Sequence, residues 1–165
     1  MDIFIRFIAD GLVIIIALVG IVALFLKTPG KDRYDRFTRV FMAGISSYFL
    51  AKFVGSLWQP EQLRPFEKLG LDPGAAYLNN PGFPSDHALL AFFLVMAVWF
   101  ATKNRILTIV LAVCALAMCA GRVIALVHTP LDIFGSLVIA AIGAAWYIGY
   151  GKKPLHTHVA KHAKK

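Results

Sequence analysis

Two short segments hold the side chains best suited to chemistry: Pro84-Ser85-Asp86-His87, and Arg122 followed by His128 and Asp132. His128 and Asp132 are four apart, so a helical turn sets them on one face. A carboxylate there holds an imidazole in one tautomer and stabilises its cationic form, as the orienting acid of a nucleophilic triad does. His128 is therefore the candidate nucleophile. His87 is the candidate general acid for a leaving oxygen. Phosphate-ester hydrolysis also needs fixed cations around the phosphoryl oxygens. Arginine suits that task through its planar fork and lysine as a point charge. Lys52, Arg64 and Arg122 are the candidates, with Ser85 as a hydroxyl donor at a helix N-terminus where free N–H groups favour anions. Several of these residues also have a plain structural reading, and either histidine alone reads as a polar interfacial residue. Ser85 or Asp86 caps a helix, Asp132 caps the helix after Pro130, and Lys52 snorkels to headgroups.

The elements that position these residues are apolar and long. The chain has 165 residues, 59% of them hydrophobic, and a mean hydropathy of +0.70. So much apolar surface excludes an ordinary soluble domain and points to membrane spans. Five spans are expected, at about Leu12–Leu26 (prolonged at its start by Ile3–Ala9), Phe37–Leu57, Ala88–Ala101, Ile106–Ala120 and Ile133–Tyr150. The expected fold is an all-α integral membrane helix bundle with the active site at its outer face. Residues 1–151 form its single domain and 152–165 a basic, disordered cytoplasmic tail. Asp2 and Asp10 beside Arg6 argue against a cleaved signal peptide.

The net charge of +8 does not point to nucleic acid, because the cations sit in short clusters between apolar runs. Lys27, Lys31, Arg33, Arg36 and Arg39 form one cluster, Lys103 and Arg105 a second, and the C-terminal lysines a third. All three fall on one side of a five-span chain, and the positive-inside rule makes that side cytoplasmic. Both histidine segments then face outside. A cation at or within a span on that side, such as Lys52, is a functional candidate by default. Cys114 and Cys119 read as small packing residues. His156, His158 and His162 read as parts of a solvated basic tail, the other reading being a site for anionic lipid or metal.

Over roughly residues 48 to 145 the pattern resembles the type 2 phosphatidic acid phosphatase superfamily of membrane phosphatases. The matching elements are Lys52 with Arg64-Pro65, Pro84-Ser85-Asp86-His87, and Gly121-Arg122 with His128 and Asp132. The resemblance implies that Lys52, Arg64, Ser85 and Arg122 bind the phosphoryl group. It also implies that His128 forms a phosphohistidine, Asp132 orients it and His87 protonates the leaving group, with no metal or other cofactor. Three positions depart from the pattern. Leu57 stands where the lysine is usual, Gly121 replaces a serine, and Asp86 replaces a glycine. An unpaired carboxylate at position 86 repels phosphate. The Pro-Ser-Asp-His form is similar to the bacterial undecaprenyl-diphosphate phosphatase branch, which implies a polyprenyl diphosphate as substrate. Phosphatidic acid and phosphatidylglycerol phosphate are the alternatives, and a non-catalytic lipid-phosphate binding or transport protein is a further one. The expected partners are lipid phosphates and membrane lipids. Oligomeric state is not legible.

Overall fold

The apolar runs form a helical membrane bundle, seen in a computed structural model that describes residues 3–150. Among the described residues there are six helices and no strand. α1 spans Ile3–Lys27 and contains one turn of π-helix at Phe7–Gly11. α2 spans Arg33–Leu57, the short α3 spans Pro65–Leu69, α4 spans Asp86–Thr102, and α5 spans Arg105–Ile124. α6 spans Pro130–Gly143 and continues through a 3-10 turn, Ala144–Tyr147. The five expected spans correspond to the five long helices. The expected tail, with His156, His158 and His162, lies outside the described residues.

Four of the long helices, α1, α2, α5 and α6 with its 3-10 turn, are long and apolar enough to cross a membrane. α4 has only 17 residues, about 25 Å at 1.5 Å per residue. It tolerates that length because it is the central element, packed against α1, α2, α5 and α6. It is apolar all round, as a helix enclosed by others must be. Ala88, Ala91, Ala97 and Ala101 are sealed within it, as is Val98. Outward-facing Ile, Leu and Phe on the surrounding helices remain exposed on the surface that lipid would cover.

The basic cluster between α1 and α2 has a structural task besides its topological one. Arg36 Nη1 donates to the Ala101 carbonyl at 2.8 Å, and Arg39 Nη1 donates to the Trp146 carbonyl at 2.7 Å. Arg33 donates to the Phe25 carbonyl. These arginines thus satisfy carbonyls at the C-terminal ends of α4, the α6 extension and α1, where a helix leaves its last acceptors unpaired and its dipole favours positive charge. His87 is the second residue of α4 and Ala101 the last but one, so this basic end lies opposite the histidine segments.

Helix ends differ from expectation by a few residues: α2 starts at Arg33 rather than Phe37, the last helix and its 3-10 turn stop at Tyr147 rather than Tyr150, and two further differences fall at the histidine segments. The fourth span was expected to stop at Ala120, before Gly121 and Arg122, whereas α5 continues to Ile124 with Arg122 only 1% exposed. The fifth span starts earlier than Ile133, because Thr129 caps α6 and Pro130 occupies its first position.

Candidate functional site

At the end of the bundle opposite the basic cluster, α4 begins, α5 turns into α6, and the long 58–84 connection folds back. Between them lies a cavity of about 410 Å³. His87, Arg122 and His128 line it, together with Lys52, Arg64 and Asp86.

His128 stands in the tight turn between α5 and α6. Leu126, in the same turn, adopts the left-handed conformation with φ 59°. For a residue with a branched side chain this costs energy, so neighbours must hold it. The connection does so: Phe66 N donates to the Leu126 carbonyl at 3.0 Å and Gly74 N to the Ala125 carbonyl at 3.1 Å. A small apolar cluster of Ala9, Phe66, Ala75, Ala125 and Val127 packs around this turn. His128 is 4% exposed, and its Nδ1 lies 3.4 Å from Asp132 Oδ2. Asp132 sits behind the histidine and does not line the cavity. Its carboxylate also accepts from Thr129 N at 2.8 Å, while Asp132 N donates to Thr129 Oγ1 at 3.2 Å. That reciprocal pair is a capping box. The helix cap is therefore Thr129, and Asp132, which could have been read as the cap itself, is its third-position partner. Burial pushes the His128 pKa below the ordinary imidazole value, against the opposing pull of the Asp132 hydrogen bond and charge. The ring is thus favoured in its neutral form.

Ser85 caps α4. It is fully buried and does not line the cavity; its Oγ accepts from Ala88 N at 3.5 Å. Ser136 Oγ ties that cap to α6, donating to the Ser85 carbonyl at 2.9 Å or to the Asp132 carbonyl at 2.8 Å. As arranged, Ser85 is a cap and a joint between helices. His87 follows two positions later and faces the cavity.

The cations fall into three situations. Lys52 Nζ is 2.8 and 3.0 Å from the two oxygens of Asp86. The lysine and the carboxylate therefore offset each other's charge. Both side chains are nearly half exposed, so the pair is screened and weakly coupled. Arg64 is 5% exposed and grips the connection. Its Nε donates to the Asn80 carbonyl at 3.1 Å, its Nη2 to the Leu78 carbonyl at 3.2 Å and to Asn80 Oδ1 at 3.0 Å, and its Nη1 to the Val127 carbonyl. Of its five N–H donors, one on Nη1 remains. Burial lowers the Arg64 pKa against the pull of Asp132 and Glu67, but a guanidinium stays charged. Arg122 is the third case. Its Nη1 lies 2.6 Å from Asp10 Oδ1, and its buried Nε has no partner among the described residues.

Three residues that sequence reasoning did not single out shape the site. A Cβ on Gly82 would lie 3.0 Å from Asp132 Oδ2, 3.4 Å from His128 Nδ1 and 3.6 Å from Arg64 Nη1. Glycine at this position keeps the His–Asp pair from being pushed aside. Gln59 brackets Phe83, donating to its carbonyl at 2.9 Å and accepting from its N–H at 3.3 Å. Asp10 had a legible signal, being a carboxylate beside a long apolar run; the same rule that singled out Lys52 applies to it.

Fold and site together define a class: a helical membrane protein with a cavity at one bundle end, lined by two histidines and by buried arginines. Residues 11–154 match the model of the PAP2 superfamily, and the chain belongs to that superfamily. Membership implies phosphatase activity on lipid phosphates, in a multi-pass membrane protein. No curated protein and no solved structure matches the chain.

Proposed function

We propose that the protein is a metal-independent membrane lipid phosphatase that releases phosphate from a polyprenyl diphosphate through a phosphohistidine at His128. The observation that carries this reading is the convergence of His87, Arg122 and His128 on one cavity, with Asp132 directly behind His128. Nδ1 of His128 is committed to Asp132, which leaves Nε2 as the nucleophile. Nε2 attacks the terminal phosphorus, and the P–O bond to the bridging oxygen breaks. The electron pair departs on the oxygen of the lipid monophosphate, which takes a proton from His87. Asp132 balances the positive charge on the phosphorylated ring. Water then attacks phosphorus, neutral His87 accepts its proton, and the N–P bond breaks to release phosphate and restore His128.

Arg122 supplies the main fixed charge, because its buried Nε–H has no acceptor among the described residues and calls for one. Arg64 adds its remaining Nη1 donor, and Lys52 adds charge at the rim where it already balances Asp86. Ser85 contributes through the backbone it fixes. Tyr77, Leu78, Phe83 and Pro84 give the cavity an apolar wall for the start of a lipid chain. The basic end lies opposite, which supports a site facing away from the cytoplasm.

The test is phosphate release by the purified protein, with a chelator present, from polyprenyl diphosphate, polyprenyl phosphate and phosphatidic acid. The diphosphate is expected to turn over fastest. His128→Ala should lower kcat by at least about a thousandfold while the variant still inserts in membranes. Full activity in that variant would sink the assignment, and a preference for phosphatidic acid would move the substrate to glycerolipids.

A further inference from the structure

Arg122 is the most deeply buried charge in the site, and a residue outside both histidine segments holds it. Asp10 belongs to the π-turn of α1, Phe7–Gly11, and lies just ahead of the residues that match the superfamily. Its Oδ1 takes the Arg122 Nη1 at 2.6 Å, and its Oδ2 accepts from Ala76 N at 2.9 Å. One carboxylate thus joins α1, the cavity-lining connection and α5. A π-turn places one extra residue in a helical turn and occurs often at functional sites.

The second observation is how α1 comes close enough. A Cβ on Gly121, next to Arg122, would lie 3.0 Å from the backbone N of Ala9 and 3.2 Å from its Cα. Those atoms are main chain and cannot rotate away. Gly121 therefore lets the π-turn lie flush against α5, one residue from the Asp10–Arg122 pair on each helix. The position departs from the superfamily's serine, and its lost hydroxyl contact is matched by this closer approach.

We propose that Asp10 is a positioning residue for Arg122, fixing the guanidinium so that its Nε edge is presented to the phosphoryl group. In a guanidinium, Nε and Nη2 form the side edge that pairs bidentately with two oxygens of one anion. Asp10 takes Nη1 and leaves that edge to the ligand. A buried arginine without such an anchor has no reason to keep one orientation, and an anion that needs both donors loses one. The inference deepens the phosphatase reading, and it implies that phosphate recognition depends on α1.

Orthovanadate, which adopts the five-coordinate geometry of phosphoryl transfer, is the probe. It is assayed on the full-length protein in detergent in two ways: as an inhibitor of lipid-diphosphate turnover, and by its upward shift of the unfolding midpoint, which needs no activity. Asp10→Asn and Gly121→Ala should each raise the vanadate Ki by about tenfold or more, a loss of about 1.4 kcal/mol or more. They should also shrink the vanadate-induced midpoint shift, and Asp10→Glu should recover part of both. A purely structural role would lower the amount of folded protein and leave Ki unchanged, which would overturn the proposal. A lower Ki in Asp10→Asn would overturn it too, making Asp10 a rival anion for Arg122. If His128→Ala keeps full turnover while vanadate stabilisation still depends on Asp10, the phosphohistidine reading falls and this one stands. If turnover depends on His128 but Asp10→Asn matches the parent in Ki and midpoint shift, the reverse holds.

Discussion

Among single side chains, the site depends on a vacancy as much as on any functional group. Gly82 is needed because a methyl at that point presses on Asp132 at 3.0 Å and on His128 at 3.4 Å. Gly82→Ala should therefore lower kcat by about tenfold to a hundredfold, since displacements near 1 Å at a reacting group cost that much. The unfolding midpoint should barely move, because the residue lies in a connection outside the helical core. Steady-state kinetics alongside thermal unfolding checks both. His128, Asp132, His87 and Arg122 were legible because their chemistry and spacing are unusual within an apolar chain. Gly82 was not, since a glycine beside a proline reads as a turn and nothing in one sequence says what a Cβ there would touch. Ser85 carries both of its readings: its type suits phosphate binding, and in the structure its hydroxyl meets a free N–H group of the first turn. Lys52 and Asp86 were each troublesome alone, one displaced and one of the wrong sign, and they answer each other at 2.8 Å.

The five long helices were legible from hydropathy, and their ends were less so. The expected end of the fourth span failed for a physical reason. An arginine reads as the edge of a span, but Arg122 is neutralised by Asp10, so α5 runs on to Ile124. The fifth span began early because Thr129 and Pro130 form a start signal stronger than the first apolar residue. At the other end of the bundle, Arg36 is the clearest link between helices. It binds the Ala101 carbonyl at 2.8 Å and lies over the Tyr150 ring at 4.8 Å. Arg36→Ala should destabilise the bundle by about 2 kcal/mol, the loss expected for a hydrogen bond from a charged donor. Activity per folded molecule should be unchanged, because the cavity is at the opposite end of α4. Denaturant titration in detergent, with activity normalised to folded protein, separates the two. A drop in turnover per folded molecule would show that the two ends are coupled.

For the molecule as a whole, the polar chemistry is sorted to two ends of an apolar bundle. One end is basic and grips helix C-termini, while the other combines histidines, arginines and three neutralising carboxylates, Asp10, Asp86 and Asp132. The positive-inside rule then gives an orientation that can be measured directly. Gly30→Cys and Asn79→Cys occupy exposed positions at opposite ends. In right-side-out cells a membrane-impermeant maleimide should label Asn79→Cys and spare Gly30→Cys until the membrane is broken. The inverse pattern would place the cavity in the cytoplasm and remove an outer-leaflet substrate from consideration. The pairing of Asp10 with Arg122 also bears on how the protein is made. The two partners are 112 residues apart, so α1 is synthesised well before the arginine leaves the ribosome. An arginine entering apolar surroundings without a counter-charge is costly. A carboxylate already present on α1 gives it a destination, and the docking of α5 onto α1 becomes the step at which the charge is accepted.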